Sequence, residues 1–213
     1  TDLLERLFKI LQLYSQKAYH LVFEAEAIQV AGLKSITTRN LIISQRSLKL
    51  IKLLIPSLQR HFARLQPEND NRLRRFDEIS STYEERAAKI PERVKTCVAN
   101  EINLHLKDWE AKPPADSEQF KSVAQYLILL HNNVQDIMAP KELEWLFEQI
   151  SETFKDVLIR HLRRLKIDAD PGPRRWLVTQ ELTFYRKNLS GLSCFSKIAL
   201  NFDDIWYKLA STQ

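Results

Sequence analysis

Apolar residues recur at steps of three and four along most of the 213-residue chain, and polar residues fill the positions between them. Because an α-helix turns once in about 3.6 residues, this spacing places the apolar side chains along one face of each helix. No segment of useful length alternates apolar and polar residues as a half-buried strand would. The pattern therefore predicts an all-α protein. In the first run, the expected core positions are Leu4, Leu7, Leu11, Tyr14, Ala18, Leu21, Ala25 and Ile28.

Short breaks in this pattern divide the chain into helices. Gly32 can end the first helix in the left-handed conformation, and Ser35, Thr37 or Thr38 can cap the next one through a side-chain oxygen. A hinge between two antiparallel helices is therefore expected here. The helical runs that follow are expected at about 41–65, 73–109, 120–137, 143–165, 179–189 and 202–209.

Prolines and caps refine these boundaries. Pro56 and Pro91 lie inside predicted helices, where the missing backbone donor is expected to produce a kink. Pro140 suits the first turn of a helix, and Asp116 followed by Gln119 forms a capping-box arrangement at the start of another.

The longest run, from Leu73 to Trp109, predicts a helix of roughly 40 residues, which at about 1.5 Å per residue reaches on the order of 60 Å. A compact globule of 25.1 kDa is narrower than that. We therefore expect an elongated helical bundle, a rod of about five to seven antiparallel helices. A single domain is expected over residues 1–213, with a long-helix core at 1–170 and shorter C-terminal helices at 171–213 packed on it. Because the sequence begins with Thr1 and not with Met, we also expect the chain to be a fragment of a longer protein, with the rest joined upstream of Thr1.

Composition and charge narrow the choice of partner. Only 3 glycines are present, which favours long helices, and the formal charge is +5 with a pI near 9.2. Nucleic acid, a phosphoinositide-bearing membrane or an acidic protein surface would suit this charge, and so would a solvated charged surface without a ligand. Cys97 and Cys194 have no CxxC spacing, so neither a disulfide framework nor a zinc site is indicated.

The residue types that carry catalysis or bind metals are scattered. The five histidines form no HExxH motif, and no second histidine lies one turn from another. Asp203 and Asp204 suit the start of a helix, where carboxylates complement the dipole. We therefore predict no catalytic residue, no metal site and no cofactor, and we expect the protein not to be an enzyme.

Two basic clusters are the remaining candidate sites for a partner or a membrane. Arg160, Arg163 and Arg164 share one side of a predicted helix near its C-terminus. The first cluster consists of Arg72, Arg74 and Arg75. The second consists of Arg160, Arg163, Arg164 and Lys166, and it is followed across a loop by Arg174 and Arg175. The candidate binding residues are these eight arginines.

Some apolar side chains are assigned to the core and others are left open. Leu54, Ile55 and Leu127 are expected to be buried, so that a polar replacement would destabilise the fold. Core packing is also expected for Trp109 and Trp206. Trp145 and Trp176 are left undecided between core packing and a partner.

Several segments resemble one known family. They are Gly32 to Leu41, Leu53 to Pro56, Arg60 to Leu65, Leu73 to Ile79, Leu177-Val178-Thr179, Phe184-Tyr185, Asn188-Leu189 and Ile205-Trp206. In this order they are similar to the family of the vacuolar protein sorting subunit fifty-four of the Golgi-associated retrograde protein (GARP) tethering complex. The resemblance spans about residues 28–206 and departs at 168–176 and 190–196.

The resemblance implies a C-terminal helical domain of a multisubunit complex that captures endosome-derived vesicles at the trans-Golgi network. It implies a cytoplasmic protein, peripherally associated with the trans-Golgi network and endosomes, in which this domain serves membrane targeting. Other subunits would bind through the rest of the protein, and SNAREs or small GTPases are further candidate partners. The alternative is a basic helical domain that binds nucleic acid. It is not favoured, because the aromatic residues fall on core faces and do not interleave with the arginines.

Overall fold

The computed structural model of the chain describes residues 3–24, 35–65, 70–167, 172–195 and 202–211. Seven helices lie in these ranges and no strand does, so the all-α prediction is confirmed. Their bounds are α1 (Leu3–Phe23), α2 (Thr38–Leu65), α3 (Asp70–His105), α4 (Glu118–Val134), α5 (Pro140–Arg164), α6 (Pro173–Leu189) and α7 (Asp203–Ala210).

Contacts divide the chain into two compact units, residues 1–94 and residues 95–213. The division falls inside α3, so this helix contributes its first part to one unit and its last turns to the other. The elongated shape, the single domain and the expected boundary at residue 170 stay predictions.

The start of α2 shows how a predicted cap is built. Thr37 Oγ1 accepts a hydrogen bond from the backbone N–H of Asn40 at 3.2 Å, and Asn40 Oδ1 accepts one from the backbone N–H of Thr37 at 3.0 Å. This reciprocal pair satisfies two backbone donors at the helix start. Thr37 is therefore the cap among the three candidates. Gly32, the expected stop of the preceding helix, lies outside the described residues.

The first unit has its core between α1, α2 and the first part of α3. Phe8 of α1 packs edge-on against Phe76 of α3, with ring centroids 4.8 Å apart, and Leu48 of α2 is fully buried. Ser44 on α2 donates a hydrogen bond to the carbonyl oxygen of Ala18 on α1 at 2.9 Å. All three helices therefore share one apolar interior.

Core assignments on α1 and α2 are wrong in part, although Leu4 and Leu11 are buried as predicted. On α1, the buried face follows Phe8 and Ser15 instead of Leu7 and Tyr14, because both rows of positions have helical spacing and the bulkier Phe8 fills the core. On α2, Leu54 is 50% exposed, whereas its neighbour Ile55 is 1% exposed. Consecutive residues lie about 100° apart around a helix, and here the buried face includes Ile55 while Leu54 points away from it. The helix itself continues through Pro56.

The second unit is built from the end of α3 and from α4 to α7. Phe154 of α5 stacks on Tyr185 of α6, with ring centroids 4.2 Å apart, and Trp109 packs edge-on against Phe120 of α4. Helix α4 also packs on α6, and α5 packs on α7. The predicted core positions Leu127, Trp109 and Trp206 are buried.

Three boundaries in this unit differ from the prediction. Helix α3 ends at His105 and not near residue 109. Helix α4 is capped by Ser117, whose side chain accepts from the backbone N–H of Phe120 at 3.4 Å, whereas Asp116 has a φ of 66° and precedes the cap. Helix α6 begins at Pro173 and not at residue 179, because a proline is well suited to the first turn. Pro140 begins α5 as predicted.

Candidate binding surface

The three arginines of the first basic cluster differ in their surroundings, because one packs against α1 and another is exposed to solvent. Arg75 forms an ion pair with Glu5 at 2.6 Å, and its guanidinium lies 4.4 Å from the centroid of the Phe8 ring. This arginine therefore ties α3 to α1. Arg74 is exposed, and Arg72 is half-buried. Only Arg74 of the three thus presents a largely exposed side chain.

Arg164 is bound to the backbone at the end of α3. It donates hydrogen bonds to the carbonyl oxygens of Lys107 at 2.6 Å and Trp109 at 3.1 Å. Carbonyls after the last helical turn lack intrahelical donors, so a guanidinium satisfies them well. Arg164 therefore stabilises the connection between α3 and α4.

Arg174 and Arg175, which follow the second cluster in sequence, also have intramolecular contacts. Arg174 donates to the carbonyl oxygen of Leu165 at 2.9 Å, and this contact links the start of α6 to the end of α5. The guanidinium of Arg175 lies 4.8 Å from the centroid of the Trp206 ring on α7. These contacts give both residues a structural role within the second unit.

Arg160 and Arg163 lie in a different setting, an open groove between α5 and α7 with a volume of about 590 Å³. We call it the α5–α7 groove. Both arginines are exposed. Seven residues line it: Asp156, Ile159, Arg160, Arg163, Tyr207, Lys208 and Ser211.

Helical spacing explains how α5 supplies its side of the groove. Asp156, Arg160 and Arg163 follow one another at steps of four and three, so they share one face of the helix. Ile159 lies beside them and is buried, whereas Tyr207 on α7 is 78% exposed. The groove therefore combines cations with an apolar floor and an accessible aromatic ring.

Helix α7 is held against α5 by a group of charged side chains. The ammonium of Lys155, which is buried, lies 2.8 Å from Glu152 and 2.9 Å from Asp204. Burial disfavours the charged ammonium, but the two carboxylates outweigh it and raise the pKa of Lys155. Lys208 adds contacts to Glu152 at 3.4 Å and to Asp156 at 3.7 Å. These pairs fix the position of the α7 wall of the groove.

His161 lies behind the basic face of α5 and is not exposed. Its Nε2 is 2.9 Å from Asn103 Oδ1 on α3. Burial lowers its pKa, and the neighbouring charges of Arg164 and Arg160 lower it further. His161 is therefore neutral at physiological pH, with Nε2–H as the donor to Asn103, and it adds no charge to the groove.

Within the described ranges, no three histidine, cysteine or carboxylate side chains converge as a metal site requires. A second cavity of about 350 Å³ is lined in part by Met138, Leu143 and Cys194. Burial raises the pKa of the Cys194 thiol to about 11, which keeps it protonated. The Cys194 thiol is therefore not activated as a nucleophile.

A further surface, in the first unit, is apolar and exposed. Large side chains project into solvent from α1 and α2 at roughly helical spacing. They are Leu3, Ile10, Leu13 and Tyr14 on α1, and Ile43, Leu50, Leu53 and Leu54 on α2. In the second unit, Trp145 and Trp176 are 48% and 64% exposed, so neither is a core residue.

Of the residues that line the groove, the sequence singles out Arg160 and Arg163 on α5 and none on α7. Tyr207 and Lys208 carry no signal of their own in a short amphipathic helix, because their importance depends on which helix α7 packs against.

None of the described helices has an apolar stretch long enough to cross a lipid bilayer.

Comparison with known proteins gives one consistent result. Residues 1–100 match the family model described as Vps54-like protein. Vacuolar protein sorting-associated protein 54 of Homo sapiens is 34% identical over 207 residues, which are 97% of this chain and 21% of that protein. The Drosophila melanogaster protein of the same name is 28% identical over 200 residues, 92% of this chain and 20% of that protein. The chain thus spans about a fifth of the length of these curated relatives.

Solved structures agree with these relatives. A structure titled Vps54 C-terminal domain matches with a TM-score of 0.54 at 27% identity, covering 65% of this chain and 99% of that one. Another, titled C-terminal domain of Vps54 subunit of the GARP complex, also matches with a TM-score of 0.54 at 27% identity and covers 61% of this chain and 98% of that one. Similarity along nearly the whole sequence and a shared helical fold show that the chain belongs to the Vps54 family.

Proposed function

We propose that this chain is a non-enzymatic interaction domain of a multisubunit vesicle-tethering complex. The observation that carries the proposal is the similarity over 97% of the chain to vacuolar protein sorting-associated protein 54, together with the match to a domain of a GARP complex subunit. The domain contributes binding surfaces carried on packed helices. The α5–α7 groove and the exposed apolar face of α1 and α2 are two such surfaces.

We further propose that the complex acts in retrograde transport from endosomes to the trans-Golgi network. In this role the protein is cytoplasmic and peripherally bound to these membranes, and the domain contributes to membrane targeting. The rest of the protein binds the other subunits, and SNAREs or small GTPases are candidate partners of the assembled complex. Exposed cations such as Arg74 and Arg160 would add weak attraction to an anionic membrane or partner.

Deletion of this domain from the full-length protein tests the proposal. The truncated protein should still co-precipitate the other subunits, because those contacts are assigned to the rest of the protein. Its recruitment to endosomes and to the trans-Golgi network, measured by imaging of a fluorescent fusion, should fall. A control is the full-length protein with Glu148→Gln, which alters an exposed position of α5 outside both proposed surfaces and should leave recruitment unchanged.

Unchanged recruitment of the truncated protein to both compartments would refute the targeting role. Loss of subunit co-precipitation on deletion would instead place complex assembly in this domain. The alternative, nucleic-acid binding, predicts steep salt-dependent binding of the chain to duplex or single-stranded DNA. The contacts of Arg75, Arg164 and Arg174 within the protein argue against it, since these residues already have partners.

A further inference from the structure

We propose that the α5–α7 groove binds an acidic peptide segment of a partner protein, one that also carries a large apolar side chain. This inference rests on the proposed interaction role and gives that role a surface and a ligand chemistry. It concerns only residues of the second unit, which α5 and α7 bring together.

The charges of the groove select an acidic ligand. In the part of the chain that the structure describes, Arg160, Arg163 and Lys208 bring three cations to its lining, and Asp156 brings one carboxylate. Lys208 lies 3.7 Å from that carboxylate and 3.4 Å from Glu152. The described lining thus carries more positive than negative charge. Among the described residues, Arg160 forms no ion pair with a carboxylate.

The chemistry of arginine favours carboxylates held in a defined geometry. A guanidinium is planar and can bind a carboxylate through two parallel hydrogen bonds. Arg160 and Arg163 are three residues apart on α5, so their Cβ atoms lie about 5–6 Å from each other. Two acidic residues about one helical turn apart on a peptide would match this spacing.

The apolar part of the groove selects a peptide over a lipid surface. Buried Ile159 forms part of its floor, and the ring of Tyr207, 78% exposed, stands at its edge. An exposed aromatic ring beside a concave surface is typical of a binding hot spot. A peptide side chain can enter such a groove, whereas the headgroup plane of a membrane meets mainly its rim.

The probe is a fluorescein-labelled amphipathic helical peptide with Glu and Leu at helical spacing, compared with the same peptide in which Gln replaces every Glu. Binding to the 213-residue chain is measured by fluorescence anisotropy at low and physiological salt. The Glu peptide should bind at least about tenfold more tightly than the Gln peptide, and the difference should shrink with salt.

Two variants of the groove and one matched control locate the site. The double variant R160E/R163E should weaken binding of the Glu peptide about tenfold or more, because it replaces attraction by repulsion. Tyr207→Ala, which leaves the charge unchanged, should weaken it about fivefold or more. R186E/K187E on α6 makes the same change of charge outside the groove lining and should alter affinity by less than about twofold. Equal melting temperatures would verify that the variants are folded.

Several outcomes would overturn the proposal. They are equal affinity for the Glu and Gln peptides, unchanged binding by R160E/R163E or by Tyr207→Ala, and no binding at peptide concentrations up to about 1 mM. Vesicles of phosphatidylcholine with phosphatidylserine form a second arm. If these bind through Arg160 and Arg163 while the peptide does not, the groove is a lipid site and not a peptide site.

The groove and the tethering role can fail separately. One result is that full-length R160E/R163E is recruited normally whereas the protein with the domain deleted is not. It would refute a role of the groove in recruitment and would leave the proposed function standing. Normal recruitment of both the double variant and the deletion would refute the targeting role. Peptide binding in solution would then still support the groove as a peptide-binding site.

Discussion

The phenol of Tyr83 on α3 donates a hydrogen bond to the backbone carbonyl oxygen of Leu11 on α1, with the two oxygen atoms 2.7 Å apart inside the first unit. The Tyr83 ring is fully buried, and burial raises the pKa of its hydroxyl to about 12. The hydroxyl therefore stays protonated and remains a donor at physiological pH. The bond joins two helices that are distant in sequence and fixes how they pack.

Tyr83→Phe should lower the free energy of unfolding by about 1 kcal/mol, because it removes this bond and leaves the ring in place. Urea denaturation of the chain checks the value. The matched control is Tyr14→Phe on α1, where the side chain is partly exposed. Loss of the Tyr14 hydroxyl should change the free energy of unfolding by less than about 0.5 kcal/mol. Equal stability of Tyr83→Phe and wild type would contradict the role of the bond.

Two neighbouring residues on α2 test the assignment of the core face. Ile55→Asn should cost about 3 kcal/mol or more, because it loses buried apolar area and buries an amide. Leu54→Asn should cost less than about 1 kcal/mol, since half of that side chain is already in water. Thermal melting of the two variants measures the difference, and similar melting temperatures would mean that the face is wrongly assigned.

How far sequence alone predicts the fold depends on the helix. On α3 the helical spacing predicts Phe76, Tyr83 and Val98 as core positions, and all three are buried, because most other positions of this helix are polar. Helices α1 and α2 have apolar residues on more than one side. Periodicity cannot choose between two such sides, and packing against neighbouring helices decides. That is why Tyr14 and Leu54 were assigned to the core.

The candidate site, like the fold, can be predicted from the sequence only in part. The spacing of Arg160, Arg163 and Arg164 predicts one basic helix face, and these residues do follow one another on α5. Spacing does not show that Arg164 is bound to the carbonyl oxygens after α3 while Arg160 lines a groove. Both facts depend on contacts between residues far apart in sequence, which no local pattern encodes.

This difference between two arginines gives a stability prediction. Arg164→Ala should lower the free energy of unfolding by about 1 kcal/mol, since it leaves carbonyl groups of Lys107 and Trp109 without their donor. Arg160→Ala should change it by less than about 0.5 kcal/mol, because Arg160 makes no hydrogen bond or ion pair within the described part of the chain. Chemical denaturation of both variants at the same pH and salt compares them. A larger loss in Arg160→Ala would reverse the assignment of the two roles.

The last prediction concerns Glu181, a fully buried residue of α6 whose carboxylate contacts the N-terminal end of α4. Its two oxygen atoms accept from the backbone N–H of Ser117 at 3.1 and 3.3 Å. Burial raises the pKa of Glu181, although the hydrogen bonds with Ser117 oppose this shift. The folded chain therefore keeps a proton on Glu181 at pH values where the unfolded chain has already lost it.

The sign of the pH effect follows from this proton. Stability linked to Glu181 is fully present below the unfolded pKa and is lost as pH rises through the raised folded pKa, because the native state then binds more protons than the unfolded state. Glutamine does not titrate and can still accept from Ser117. The melting temperature of Glu181→Gln should therefore rise relative to wild type between pH 4 and pH 8. Glu148→Gln, an exposed change on α5, is the control for the loss of one carboxylate. A pH-independent difference for Glu181→Gln would mean that this carboxylate ionises as easily in the folded chain as in the unfolded one.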